Sequence, residues 1–150
     1  MGKPLNNFQI HRVLKKDLYA QNIFKAVLPR DKLPSNVEYP SAYVFNTHTS
    51  EQEGEHWLAI YYDTNGIATF FDSFGLDPYY YKFDKFLKST SKEWICNTTK
   101  LQSISAMTCG YYCIYFILLK SRNFTLPKLL ELFNKKDYLQ NDFKIVNIYP

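Results

Sequence analysis

Glycine is scarce in this chain, with 5 in 150 residues, and neither GxGxxG nor GxxxxGK(S/T) occurs. The two common backbone cradles for nucleotide phosphates are therefore missing. Cysteine is equally sparse: Cys96, Cys109 and Cys113, with no CxxC pair. An odd, small set points away from a disulfide framework and toward a reducing compartment, where thiols are buried or reactive. The longest apolar run, Tyr111 to Leu119, stops at Lys120 and falls well short of a membrane span. The opening MGKPLNNFQIHRVLKKD has no apolar stretch to serve as a signal peptide. Met1-Gly2 lacks a myristoylation pattern, because Asn6 stands where Ser or Thr is needed. These absences predict a soluble, intracellular protein with no membrane partner.

Aromatic residues are what the chain has in excess: 13 Tyr, 12 Phe and 2 Trp. With 46% hydrophobic and 21% charged residues, disorder and collagen-like structure are excluded. The length suits one domain spanning residues 1–150, large enough to fold without disulfides or metal. A net charge of +4 is compatible with weak DNA contact, although such an excess is more often a solvated surface.

The pattern of elements is mixed. A short N-terminal helix precedes a strand-like stretch at Asn22–Leu28, and Ser41–Asn46 looks like a buried strand. His56–Asp63 and Ile67–Gly75, joined by Thr64-Asn65-Gly66, form the clearest hairpin. Helical spacing follows through Tyr80, Phe83 and Leu87, and Trp94–Leu101 reads as another strand. Thr108 heads the apolar segment CGYYCIYFILLK, a short helix begins near Pro127, and Lys144–Tyr149 alternates like a last strand. Without a regular βαβ rhythm, the predicted class is α+β.

Three Cys and three His leave few nucleophile–base pairs. Cys109 falls in the first turn of a helix, where unpaired N–H groups and the helix dipole favour a thiolate. Gly110 beside it removes bulk and is expected to leave room for a substrate chain. Cys113, one turn on, reads as a small buried hydrophobe, and Cys96 as structural.

His56 opens the first hairpin strand. If Gly66 takes the left-handed position of a three-residue loop, Asp63 pairs with Ile67 and the paired numbers sum to 130. His56 and Asp72 then share a face, one diagonal apart at roughly 7–8 Å between Cα atoms. A two-residue loop would instead put them on opposite faces. An Asp ending an otherwise apolar face needs a partner, and an acid that fixes one imidazole nitrogen frees the other to take a thiol proton. The competing reading of Asp72 is a turn former before Ser73-Phe74-Gly75. His11 and His48 have no such neighbours. Gln102, seven residues before Cys109, supplies an uncharged donor that could work with the Cys109 N–H on an oxyanion.

GEHWLAIYYD, FFDSFG and QSISAMTCGYYC, in that order, resemble the His, acid and Gln…Cys blocks of the adenovirus endopeptidase (adenain) group. That group lies in the cysteine-protease clan that includes the ubiquitin-like-protein proteases. The resemblance is already visible at PSAYVFNT and covers roughly residues 8 to 120. The Gln-to-Cys gap of seven is adenain-like, whereas the desumoylating branch is usually one shorter.

The resemblance implies a papain-like or adenain-like fold with the nucleophile at a helix N-terminus. It implies Cys109 as nucleophile, His56 as base, Asp72 as orienting acid, and Gln102 with the Cys109 N–H as oxyanion hole. Trp57 is implied beside the cleft, with Gly110 as its companion in substrate binding. It departs from the family in carrying Asp72 where adenains carry Glu, and in its shorter C-terminal region. Adenains are activated by a disulfide-linked peptide and by DNA, but Cys96 stands at a different distance from Gln102.

The leading expectation is a monomeric cysteine endopeptidase needing no cofactor or metal. It would cut Gly-containing motifs in capsid or core precursors of a virus or virus-like transposon, in the host nucleus or the virion. The alternatives are a protease removing ubiquitin-like modifiers, and a silent scaffold or nucleic-acid-binding module.

Overall fold

The computed structural model describes residues 3–52, 56–104 and 107–148. Met1-Gly2, the Gly54-Glu55 start of the histidine motif, Ser105-Ala106 and Tyr149 lie outside the described residues.

Aromatic and β-branched residues build a five-stranded mixed sheet: β1 (Phe24–Leu28), β2 (Ser41–Asn46), β3 (Trp57–Tyr62), β4 (Ile67–Phe71) and β5 (Glu93–Cys96), in that spatial order. The β1–β2 and β4–β5 pairs are parallel, and the two pairs between them antiparallel. Helices are α1 (Asn7–Lys16), α2 (Pro78–Tyr81), α3 (Asp84–Thr90), α4 (Cys109–Lys120), α5 (Leu126–Leu130) and α6 (Tyr138–Ile148). The class is α+β.

Period-two alternation sends each strand's side chains to two different cores. Ala42, Val44, Ala59 and Phe71 pack with Cys113, Phe116 and Ile117 of α4. Tyr43, Phe45, Leu58, Ile60 and Phe70 pack with Phe83, Phe86 and Leu87 around α3. A helix apolar on all sides must be covered on all sides. Accordingly α4 is buried along most of its length, with α1, α5 and α6 packed on it.

The β3–β4 hairpin has the expected register. Ala59 faces Phe71, Ile60 faces Phe70 and Tyr62 faces Ala68. Asp63 N–H donates to the Ile67 carbonyl at 3.0 Å, and Gly66 takes φ +80° in the three-residue loop. The hairpin face with Leu58, Ile60, Tyr62, Ala68 and Phe70 is buried, as the sequence predicts.

Three expectations are corrected. The helix read through Tyr80, Phe83 and Leu87 is broken at Lys82, whose φ of 62° ends α2. Phe83 and Leu87 are buried, but Tyr80 is exposed. The strand drawn over Trp94–Leu101 stops at Cys96, because Asn97 turns its amide onto the backbone of Asp72 rather than continuing the ladder. The final strand, Lys144–Tyr149, is instead the end of α6 as far as it is described. The buried face of that helix is Asn141, Asp142 and Ile145. Two polar residues among three give no apolar period for a sequence pattern to detect.

Beyond β4 the chain crosses itself tightly. Gly75 has φ +75°, and a Cβ there would lie 2.9 Å from Lys100 N and from Thr98 O. Backbone cannot retreat as a flexible side chain can. Gly75→Ala is therefore expected to cost about 2 kcal/mol or more of stability, measured as a lower urea midpoint with unchanged slope. An unaltered midpoint would mean that the crossing is loose.

Candidate active site

Three element ends meet at one end of the sheet's central strands: the residue before β3, the residue after β4, and the first residue of α4. They are His56, Asp72 and Cys109. His56 Nε2 lies 2.5 Å from Asp72 Oδ1, and the Trp57 N–H points at Cys109 Sγ at 3.4 Å. With Nε2 committed to the acid, Nδ1 is the nitrogen left to face the thiol. The hairpin register brings together the pair that the sequence proposed, and the helix start delivers the sulfur.

Asp72 has no solvent exposure, so its carboxylate must be satisfied from within. Oδ1 accepts from His56 and from Phe74 N–H at 3.2 Å, while Oδ2 accepts from Leu76 N–H at 3.0 Å and the Tyr81 hydroxyl at 2.8 Å. Asp72 is thus a turn former and a histidine partner at once. Its backbone is clamped by Asn97, which accepts from Asp72 N–H at 3.0 Å and donates to Asp72 O at 2.6 Å.

Two aromatic rings pack on the imidazole. It stacks on Phe74 at 4.9 Å between centroids and on Tyr81 at 5.7 Å. Burial alone would lower its pKa, but hydrogen bonds to Asp72 and Cys109, with their charges, outweigh it and push His56 up to about 9. Burial drives Tyr81 upward as well, with the Asp72 charge next, so its hydroxyl stays a donor.

Gln102 is buried, and its Oε1 accepts from the Ser73 hydroxyl at 2.5 Å. Its amide NH2 is therefore the edge turned elsewhere, with donor character suited to an anionic oxygen. Ser73 also accepts, through its carbonyl, the N–H groups of Leu101 and Gln102 at 2.9 and 3.1 Å. One turn, Asp72-Ser73, thus fixes both the acid and the amide.

His56, Trp57, Gln102 and Cys109 line an open cleft of about 1320 Å³, with Ile104 and Met107 exposed along it. Trp57 Nε1 donates to Leu5 O at 3.0 Å, closing the N-terminal segment against the same wall. Gly110 corrects an expectation. It is buried, and the space a Cβ would need is taken by Leu5, Ile10 and Trp57 at 3.2–3.3 Å. Its missing side chain admits this packing, not a substrate.

Cys113 is buried behind Cys109, its pKa driven well up by burial first and then by the Cys109 and Asp72 charges. Cys96 is a half-buried free thiol on β5. His11 packs edge-on to Phe24 away from this site, whereas His48, treated as bland in the sequence, does line the cleft. Phe74, Tyr81, Asn97 and Ser73 were missed as site residues. Only Phe74 had a signal, as the residue the register sets opposite His56. Among the described residues no group of His, Cys, Asp and Glu could hold a metal, and no helix is long and apolar enough to cross a membrane.

The family model described as adenovirus endoprotease matches residues 31–129, which contain His56, Trp57, Asp72, Gln102 and Cys109. The chain belongs to that family. Similar solved structures include the ASFV pS273R protease, with 21% identity over 69% of this chain and 43% of that one, at a TM-score of 0.45. The central domain of the uncharacterized Lpg1148 protein from Legionella pneumophila has 12% identity over 99% and 100% of the two chains, at 0.49. The Legionella pneumophila effector protein RavZ has 17% identity over 73% and 39%, at 0.37. The chain spans less than half the length of the ASFV protease. A comparison with curated proteins gives no match.

The raised His56 pKa carries a sign. Its folded value of about 9 lies above the ordinary 6.5, so the stabilisation from its proton is complete below about pH 6.5 and is lost as pH rises through about 9. Thermal unfolding temperatures are expected to fall across that window. The His56 imidazole, followed by NMR, should titrate near 9 in the native chain and lower in Cys109→Ala. A titration near 6.5 in both would remove the coupling between thiol and imidazole.

Proposed function

We propose that this chain is a cysteine endopeptidase acting through Cys109, His56 and Asp72. The observation that carries the reading is a buried carboxylate 2.5 Å from one nitrogen of the His56 imidazole, with a thiol at a helix start 3.4 Å from the N–H of the very next residue, Trp57. Cys109 Sγ, its proton passed to His56, attacks the scissile carbonyl. The carbonyl oxygen takes up negative charge, and the Gln102 amide with the Cys109 N–H receives it. His56 then returns the proton to the leaving amine as the C–N bond breaks, leaving a thioester. Water, deprotonated by His56, attacks the thioester and releases the acid and the thiol. Asp72 holds the imidazole in the tautomer this cycle needs.

The substrate class follows from the family. A protease of this group suits protein substrates, and we infer cleavage at Gly-containing motifs, with capsid or core precursors of a virus or virus-like element as the natural targets. Tyr111 and Tyr112, which follow Gly110, form no aromatic wall that could select glycine. Tyr112 is buried against Asp142, and the Tyr111 hydroxyl donates to Lys3 O at 3.1 Å. Selection is left to Trp57 beside the thiol, where exclusion of one methyl group is worth about 10- to 200-fold.

Cys109→Ala should abolish cleavage of a peptide library, while Cys113→Ala should keep it and lose roughly 1 kcal/mol or more of stability. Asp72→Asn should lower kcat far more than it lowers the unfolding midpoint. Labelling of Cys113 by iodoacetamide with Cys109 untouched would overturn the assignment. Given the same preparation, short Gly-containing peptides should be cut internally and a ubiquitin-like modifier–fluorophore conjugate poorly. Rapid release of the fluorophore with inert short peptides would favour a deconjugating protease instead.

A further inference from the structure

Asp142, on α6, has no solvent exposure and stands outside the triad. Its Oδ2 accepts from Ser103 N–H at 3.1 Å. Its Oδ1 accepts from the Thr108 hydroxyl at 2.9 Å and the Tyr112 hydroxyl at 2.8 Å. Ser103 directly follows Gln102, and Thr108 directly precedes Cys109. One carboxylate therefore ties down both ends of the segment that runs from the amide donor to the nucleophile. Its neighbour Asn141 adds a tie to the carbonyl of Leu101 at 3.0 Å.

Burying a carboxylate on a peripheral helix is costly unless it is fully hydrogen-bonded. Leu, Met or Phe at this position would serve the core more simply. What the carboxylate supplies, and an apolar residue cannot, is a fixed distance between two loop ends that must share one oxyanion. Within the segment, Ile104 and Met107 are 84% and 64% exposed, so their own packing holds it only weakly.

We propose that Asp142 is a positioning residue for the oxyanion hole: it sets the Gln102 amide against the Cys109 N–H by clamping Ser103 and Thr108 to α6. The inference rests on the cysteine-protease reading and adds a part to its machinery.

The decisive variant is Asp142→Asn. One amide oxygen can keep the Thr108 and Tyr112 hydroxyls, but the amide NH2 then meets the Ser103 N–H, donor against donor. The Gln102 end of the clamp is released while the core bonds stay. Displacing an oxyanion donor should lower kcat on a peptide substrate by about 10- to 100-fold with KM little changed. Alkylation of Cys109 by iodoacetamide develops no oxyanion, so its rate should stay within about twofold of the native protein. That split separates lost positioning from general loosening, which would lower both.

Thr108→Val, which removes the other tie with little change of shape, should reproduce the split even if Asp142→Asn folds poorly. Tyr62→Phe, which loses a buried hydrogen bond to the Thr90 hydroxyl on the other side of the sheet and touches neither loop end, should lower the melting temperature and leave kcat within about threefold. Equal losses of alkylation and turnover in both loop variants, or unchanged kcat in both, would overturn the proposal. Cys109→Ala in the same assay keeps the two ideas apart. If it still cleaves, the protease reading itself falls. If it is inert while the loop variants turn over normally, only the role of Asp142 falls.

Discussion

Everything at this end of the sheet depends on how Asp72 is buried. A carboxylate without solvent needs donors, and the chain assembles them from four sources: the imidazole, two backbone N–H groups of its own turn, and a tyrosine hydroxyl. Each donor imposes geometry elsewhere. The backbone donors force the tight turn, the turn requires Gly75 against the following strand's exit, and the tyrosine comes from a helix that ends abruptly at Lys82. The same turn carries Ser73, so satisfying the acid also sets Gln102. Removing any one donor is therefore felt by several others, which is how a buried hydrogen-bonded network behaves.

The second organising constraint is the fully apolar α4. Since no side of it can face water, it must lie across the sheet, and its first residue then arrives where β3 begins and β4 ends. The Cys109 sulfur sits on that helix start, where the Trp57 N–H meets it at 3.4 Å.

Much of this was legible in the chain. The hairpin register needed only Gly66 and the length of the loop, and it brought His56 to Asp72 before any coordinates. The place of Cys109 needed only a polar loop running into an apolar helix. Gly110 was misread because an absent side chain looks the same whether it serves a ligand or a neighbour, and the neighbours, Leu5 and Ile10, come from about a hundred residues away in the sequence. The role of α6 was invisible for a related reason. Its buried face is mostly polar, its partners lie some 30 to 40 residues earlier, and periodicity reports apolar faces only. Phe74 and Tyr81 were hidden among 27 aromatic residues, where composition gives no means of choosing two.

The order of these parts along the chain bears on synthesis. His56 and Asp72 leave the ribosome on one hairpin, a local unit that can form early. The sulfur follows more than thirty residues later, on an apolar helix that β3 and α1 can cover at once and that α5 and α6 finish covering. The clamp on its approach loop comes later still. A growing chain thus carries His56 and Asp72 together well before Cys109 emerges and before α6 can bind its approach loop. Chains stalled or nicked short of α6 would hold Cys109 without the Asp142 contacts to Ser103 and Thr108.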